Sequence, residues 1–330
     1  MGNPERENPQ ETELAGEVSR GSDGARDLPK RVNRYGIARE RARQMVDHLA
    51  ALQQVPDQSG EVAKLHRLLK GCGEYLEFRH YYIVDKVRLT AAQFCRKTLL
   101  CPLCAIRRGA KMLKAYLDRY QVIQGENPGL RASLVTLTVQ NGPDLAERFD
   151  HLRSGVKRLL ERRRDYLKKG RGQTEARKWL GLVGTYEVTN KGNGWHPHTH
   201  LIVLHYEDLD QAALSREWKS VTGDSFIVDC RPFEHPDDPA QDFVEVFKYA
   251  MKFSDLSLAD NFYAFQVLKG RRLLYSAGLF RGVEVPEELT DERLEGLPYV
   301  ELFYRYVHGA GYSLERVSRT SILATPASQS

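Results

Sequence analysis

Two β-rich runs separated by a glycine-rich loop constrain the fold of this chain most strongly. The runs cover residues 182–189 and 195–205, and the loop between them reads Asn-Lys-Gly-Asn-Gly, which is typical of a β-hairpin. Strands joined by so short a connection are antiparallel, so a purely parallel dinucleotide-binding sheet is disfavoured. Helical and strand-like runs alternate on either side of the hairpin. We therefore predict an α+β protein, an antiparallel β-sheet packed with helices.

Composition narrows the class of protein further. The 330 residues are 28% charged and 41% hydrophobic, a balance typical of a globular chain that buries one large core or two ordinary ones. No run approaches the roughly eighteen apolar residues of a membrane span, and the polar N-terminus has no signal-peptide core. These features predict a cytoplasmic protein with no membrane partner. No P-loop or Gly-x-Gly-x-x-Gly motif occurs in a suitable position, so ATP use is not expected.

Charge is unevenly distributed along the chain. The net charge is +5, yet residues 105–171 contain 16 Lys and Arg against 7 Asp and Glu. A clustered basic segment is typical of nucleic-acid binders, although a solvated helix face also collects arginines. The pattern therefore favours a nucleic-acid partner only slightly.

Changes in composition divide the chain into five predicted segments. A polar stretch with almost no aromatic or β-branched residues indicates disorder at the N-terminus, and apolar periodicity indicates helices directly after it. The predicted segments are a disordered stretch (1–29), a helical extension (30–71), a Cys-rich region with a basic helix (72–120), a core domain (121–275) and a C-terminal extension with a flexible tail (276–330).

Three histidines alternate along the second run, at His196, His198 and His200. Because strand side chains alternate between faces, the three imidazoles are predicted to share one face of the sheet. Two of them with one carboxylate would bind a divalent metal and leave coordination positions open for phosphate oxygens. The same set of ligands also suits non-haem iron, an alternative that explains fewer of the other motifs.

The third ligand depends on the register of the hairpin. A four-residue loop places Glu187 opposite His198, whereas a five-residue loop turns Glu187 to the other face. His196 competes for the same position because it shares the face of the other histidines. We favour Glu187, because a carboxylate suits Mg²⁺ or Mn²⁺ better than a third imidazole does.

A predicted helix over residues 243–252 carries Glu245, Tyr249 and Lys252 at helical spacing, so that the three share one surface. A tyrosine can attack a phosphate, and a neighbouring carboxylate can transfer a proton. The phenol needs assistance at neutral pH, which a metal and a cation such as Lys252 would provide. A tyrosine is more often a packing residue than a nucleophile. Tyr249 is a better candidate for the nucleophile than the other tyrosines because Glu245 and Lys252 lie beside it.

Four cysteines precede the basic helix. The Cys-x-x-Cys pair has the spacing of a structural zinc knuckle, and disulfides are not expected in a cytoplasmic chain. The alternative is that these residues are small buried hydrophobes, as we expect for Cys230. The predicted zinc ligands are Cys72, Cys95, Cys101 and Cys104.

Together these motifs resemble the rolling-circle replication initiators of small bacterial plasmids, which belong to the HUH endonuclease superfamily. The defining His-x-His pattern falls on His198-Thr199-His200, with threonine in place of the usual bulky apolar residue. The strand motif is similar to residues 134–138, and the nucleophile motif to residues 245–252. The Cys-rich region is similar to one branch of these initiators. The resemblance covers residues 72–275 and implies a ferredoxin-like or RRM-like core.

The resemblance also implies a mechanism. His198 and His200 would bind Mg²⁺ or Mn²⁺ at a nick site in single-stranded origin DNA, and Tyr249 would form a 5′-phosphotyrosine and release a 3′-hydroxyl primer. Glu245 would activate water in the terminating step, and a host helicase and polymerase would be partners. A transposase, a conjugative relaxase or a non-catalytic zinc-containing binder is the alternative function. The oligomeric state and the roles of residues 1–71 and the C-terminal extension stay open.

Overall fold

The computed structural model describes residues 23–54, 59–248 and 253–320 of the chain. Its helices are α1 (Leu28–Leu52), α2 (Ser59–Lys70), α3 (Pro102–Glu126), α4 (Leu145–Lys169), α5 (Gln211–Thr222), α6 (Pro239–Phe247) and α7 (Leu258–Leu268). Its strands are β1 (Tyr75–Tyr81), β2 (Lys86–Ala92), β3 (Arg131–Thr138), β4 (Gly181–Asn190), β5 (Trp195–His205), β6 (Val228–Pro232), β7 (Leu274–Gly278), β8 (Tyr299–Val307) and β9 (Gly311–Thr320).

Two compact units make up the described part of the chain. The five-stranded unit contains residues 109–285, and the four-stranded unit contains residues 23–108 together with 286–320. Both sheets are antiparallel and carry helices, so the predicted α+β class is confirmed.

The five-stranded unit has a ferredoxin-like core. Its sheet order is β6-β3-β5-β4-β7, and the chain runs β3-α4-β4-β5-α5-β6 before β7 joins the β4 edge. Helix α4 packs on one face, where Phe149 contacts Tyr186 with ring centroids 5.5 Å apart. Helix α6 packs on the other face, where the hydroxyl of Thr185 donates to the carbonyl of Val246 at 2.7 Å.

Local sequence explains the length of α4. The Asp144 carboxylate caps its N-terminus by accepting from the backbone N–H of Glu147 at 3.0 Å, and Gly170 ends it in the left-handed conformation at φ 63°. Apolar residues recur at helical spacing along this helix and are buried, with Phe149 and Leu152 both 0% exposed. The local sequence therefore accounts for both the ends and the buried face of this element.

The four-stranded unit joins distant parts of the sequence in the order β2-β1-β8-β9. Inside it, the Asp291 carboxylate pairs with Arg107 at 2.5 Å and with Arg31 at 2.8 Å. Burial by itself would raise the pKa of Asp291, but the two guanidinium groups hold that pKa well below its ordinary value. The segment after α2 was predicted only as Cys-rich, and the structure adds the β1–β2 hairpin there.

Within the described residues, no helix combines the length and the apolar character that crossing a bilayer requires. Residues 1–22 and 321–330, which include most of the predicted disordered stretch and the predicted tail, lie outside the described residues. The remaining residues of that stretch, 23–29, are described and lead into α1, which begins at Leu28.

Candidate metal and nucleophile site

The β4–β5 hairpin has the register of a four-residue loop. Asn190 pairs with Trp195, which places Glu187 directly opposite His198 and Thr185 opposite His200. Gly192 and Gly194 both have positive φ, at 88° and 92°, as the turn requires. Of the two registers considered from sequence, the structure has the one that turns Glu187 toward the histidines.

Glu187, His198 and His200 form one compact group. The Glu187 Oε2 atom lies 3.3 Å from His198 Nε2 and 3.6 Å from His200 Nε2. One ligand atom from each residue lies within 4.8 Å of the others. Because Glu187 is 0% exposed and His198 only 8%, a carboxylate and two imidazoles converge in a nearly dry site. Two nitrogens and one oxygen at this spacing can coordinate a divalent cation.

Hydrogen bonds to Nδ1 fix the orientation of both imidazoles. His200 Nδ1 lies 3.0 Å from the Thr136 hydroxyl on β3, and His198 Nδ1 lies 3.2 Å from the carbonyl of His196. Each ring therefore presents Nε2 toward Glu187. Such outer contacts select the tautomer and hold a metal-binding ring in place. Thr136 was not singled out from the sequence, because its role depends on the pairing of β3 with β5.

His196 occupies a different position. Its Nδ1 lies 2.6 Å from Asn141 Oδ1, in the loop after β3, and its ring centroid is 5.4 Å from that of His198. Burial lowers the pKa of His196, helped by His198 and Lys191. The side chain is thus engaged at the loop end of the hairpin and does not belong to the group around Glu187.

Thr199 points away from Glu187, His198 and His200. Its hydroxyl lies 2.7 Å from the carbonyl of Thr185 and 2.8 Å from the Tyr275 hydroxyl. Burial raises the pKa of Tyr275 well above its ordinary value, and Tyr186 adds to this effect. A polar residue at position 199 is therefore explained by its contacts, and Tyr275 is a poor nucleophile.

The last turn of α6, which carries Glu245, packs on the sheet face that holds Glu187, His198 and His200. The Thr185–Val246 hydrogen bond fixes the last turn of α6 against β4, at the residue opposite His200. Glu245 Oε2 pairs with Lys248 Nζ at 2.8 Å, and Lys248 is only 4% exposed. This ion pair was not predicted. The helix begins at Pro239 and not at Phe243, while the predicted nucleophile Tyr249 and Lys252 lie outside the described residues.

The four predicted zinc ligands meet in the four-stranded unit. Cys72 Sγ lies 3.6 Å from Cys101 Sγ and 3.5 Å from Cys104 Sγ, and Cys95 Sγ lies 3.6 Å from Cys104 Sγ. A tetrahedron with Zn–S bonds of 2.3 Å has edges of about 3.8 Å, close to these separations. All four are buried free thiols, and the Cys95 backbone N–H donates to Cys72 Sγ at 3.3 Å. The donor set and spacing therefore fit a zinc ion.

Cys230 is separate from both groups. It lies half-buried on β6, and burial raises the pKa of its thiol to about 12, with Asp229 contributing. Nothing in its surroundings indicates chemistry.

Comparison with known proteins identifies a family for this chain. A family model described as Replication protein matches residues 86–301. A "Protein rep" from Bacillus amyloliquefaciens is 25% identical over 301 residues, which cover 80% of this chain and 84% of the relative. Proteins of the same name from Bacillus sp and from Streptococcus pneumoniae serotype 2 (strain D39 / NCTC 7466) are each 29% identical, over 164 and 170 residues. The chain spans about half the length of these last two, 49% in each case. No solved structure matches.

Proposed function

The chain belongs to the replication protein family, whose members are plasmid replication initiators, and we propose that it nicks single-stranded origin DNA through attack by Tyr249. The observation that carries the proposal is the Glu187–His198–His200 group, in which Glu187 and His198 are buried and His200 is half-buried, with the last turn of α6 hydrogen-bonded to the same sheet face. Tyr249 follows that turn directly in the sequence.

Glu187, His198 and His200 would hold Mg²⁺ or Mn²⁺. When bound, the ion would orient the scissile phosphate and polarise it toward attack. Thr136 and the His196 carbonyl keep the two imidazoles aligned for this role. Two histidines and a carboxylate also suit a non-haem iron site. Metal-assisted cleavage of DNA is the better explanation, because it also accounts for the family and for the basic segment.

In the proposed nicking step, the Tyr249 oxygen forms a bond to phosphorus and the bond from phosphorus to the 3′ oxygen breaks. The phenol loses its proton and the departing 3′ oxygen gains one, which leaves a 5′-phosphotyrosine and a 3′-hydroxyl primer. Lys252 would stabilise the developing phenolate. The ester keeps the energy of the phosphodiester bond, so rejoining a strand needs no nucleotide.

Glu245 would act in the terminating step, as the base that takes a proton from water or from a second strand's 3′-hydroxyl. The ion pair with buried Lys248 holds the Glu245 carboxylate in a defined position. Nicking and termination would thus use different side chains of one helix and the residues that follow it.

Cys72, Cys95, Cys101 and Cys104 would bind one structural zinc ion, since four thiols occupy all positions of a tetrahedral site and leave none for substrate. We further propose a cytoplasmic protein that works with a host helicase and polymerase on origin DNA, with residues 121–275 as the endonuclease core. A transposase or relaxase would share this chemistry, and the family favours the initiator.

A gel assay tests the proposal. The protein is incubated with single-stranded origin DNA and Mn²⁺, and denaturing electrophoresis then separates covalent adducts. We expect an adduct that disappears with excess EDTA. A protein that binds this DNA and forms no adduct with Mn²⁺ or Mg²⁺ would instead be the non-catalytic binder.

A further inference from the structure

Exposed basic residues are concentrated on the surface of α4. From Arg153 to Arg171 the sequence has nine Lys and Arg and two acidic residues. The net positive charge of this segment is therefore larger than the net charge of the whole chain, which is +5. Arg163 is turned inward, where it donates to the carbonyl of Trp179 at 2.7 Å. The other eight basic residues are exposed to solvent.

Four of these residues form a single stripe. Arg153, Lys157, Arg164 and Lys168 fall within about 60° of arc on a helix of 3.6 residues per turn, and they span about 22 Å of its length. Lys157 and Arg164 have side chains that are 77% and 56% exposed. We name this set the basic stripe. It lies on the helix that packs against Tyr186, on the sheet face opposite Glu187.

Helix stability does not explain the basic stripe. Arg153 with Lys157, and Arg164 with Lys168, are like-charged pairs at i,i+4, a spacing that disfavours a helix. Lys168 stabilises the carbonyl end of α4, but Arg153 and Lys157 are too far from that end to do so. The nearby acids form only exposed pairs, Lys157 with Glu161 at 3.9 Å and Arg164 with Asp165 at 3.4 Å. Solvent screens such pairs strongly, so an incoming polyanion can replace them.

We propose that the basic stripe binds the phosphate backbone of duplex DNA. A duplex presents one negative charge per 1.7 Å of axis and hides its bases, so a charged surface without aromatic groups suffices to hold it. Surfaces for single strands add exposed aromatic rings on which bases stack. Tyr166 is the one aromatic residue between Arg153 and Arg171, and it is half-buried. The duplex is thus held on one sheet face and the nick site lies on the other.

This inference rests on the proposed function only in taking DNA as the partner. Its test uses two variants and distinguishes failure of the inference from failure of the proposed function. In the stripe variant, Gln replaces all four residues of the basic stripe, because Gln keeps helix propensity while removing charge. The control variant removes the same charge from exposed positions on other elements of the five-stranded unit. Its substitutions are Lys114→Gln, Arg216→Gln, Arg272→Gln and Arg281→Gln.

Fluorescence anisotropy measures binding of a labelled 30-base-pair duplex between 50 and 200 mM NaCl. Each phosphate contact contributes about 0.9 to the slope of log K against log salt, so losing four contacts flattens the slope by about 3.6. Over this range the affinity of the wild type should then fall about 10²-fold more than that of the stripe variant. The control variant should behave like the wild type.

Nicking of a short single-stranded oligonucleotide provides the second readout. The stripe variant should form the covalent adduct at the wild-type rate, since none of its residues lies on the metal-bearing face. Equal duplex affinity and equal salt slope in the stripe and control variants would overturn the inference. Absence of the adduct in the wild type would refute the proposed function and leave the duplex measurement valid.

Discussion

Glu187 supplies the negative charge of the candidate metal site, and its replacement tests the choice of third ligand. Glu187→Gln keeps the shape of the side chain and removes its charge. Because loss of an outer partner of a metal ligand already weakens binding 10–100-fold, we expect losing this ligand to weaken Mn²⁺ binding by at least about 100-fold. His196→Ala, which removes a ring bound to Asn141, should leave the affinity nearly unchanged. Calorimetric titration with Mn²⁺ measures both, and the reverse ranking would make His196 the ligand.

Thr136 is not itself a candidate ligand but contacts one of the candidate ligands, His200. Its hydroxyl orients His200, so Thr136→Val should reduce Mn²⁺ affinity by about 10–100-fold while the fold is retained. Thr138→Val is the matched control, because Thr138 lies two residues along β3 and contacts the carbonyl of Ile227 instead. If the two variants bind Mn²⁺ equally well, the hydrogen bond to His200 has no part in metal binding.

Replacing Glu245 should affect one of the two proposed chemical steps and not the other. Glu245→Gln retains an acceptor for Lys248 and removes the base, so the first nick should persist. Hydrolytic or strand-transfer release should slow by about 10²–10⁴, the usual contribution of general base catalysis. Single-turnover gels with a pre-nicked substrate measure release independently of nicking. An equal loss in both steps would assign Glu245 a structural role.

At the scale of elements, hydrophobic pattern predicted the parts of the site that depend on local sequence. The alternation of His196, His198 and His200 correctly indicated a strand, and the glycine-rich loop indicated its hairpin partner. The pattern could not choose between two registers, because Gly192 and Gly194 accommodate either turn. Contacts such as Thr136–His200 depend on the pairing of β3 with β5, which are separated by α4 and β4. Side-chain alternation within one strand carries no information about such pairing.

The cysteine group is the element-scale feature most open to direct measurement. Cys101→Ser removes one of the four thiols at a position that is 0% exposed, so we expect loss of bound zinc and a lower unfolding temperature. Cys230→Ser lies outside the group and should keep the full zinc content. Elemental analysis of purified protein gives the zinc ratio. A folded and active wild-type sample with no zinc would contradict the assignment.

At the scale of the whole molecule, the predicted segment boundaries are the part that local sequence determines least. In the four-stranded unit, β1 pairs with β8 through residues such as His80 and Val300, which are more than two hundred positions apart. Neither strand has a continuous apolar run: β1 buries only some of its residues, and those of β8 are half-buried or exposed. Because pairing of such strands depends on their final partners, the segments drawn from composition stay a prediction.

The central claim is that this member of the replication protein family cleaves DNA with Tyr249 as the nucleophile. Mass spectrometry of the protease-digested, nuclease-trimmed adduct identifies the modified tyrosine directly. We expect a nucleotide on the peptide that contains Tyr249, and no adduct from Tyr249→Phe, which keeps the ring and removes the hydroxyl. A nucleotide on Tyr263, which is 40% exposed, on half-buried Tyr275, or on any other residue would contradict the account.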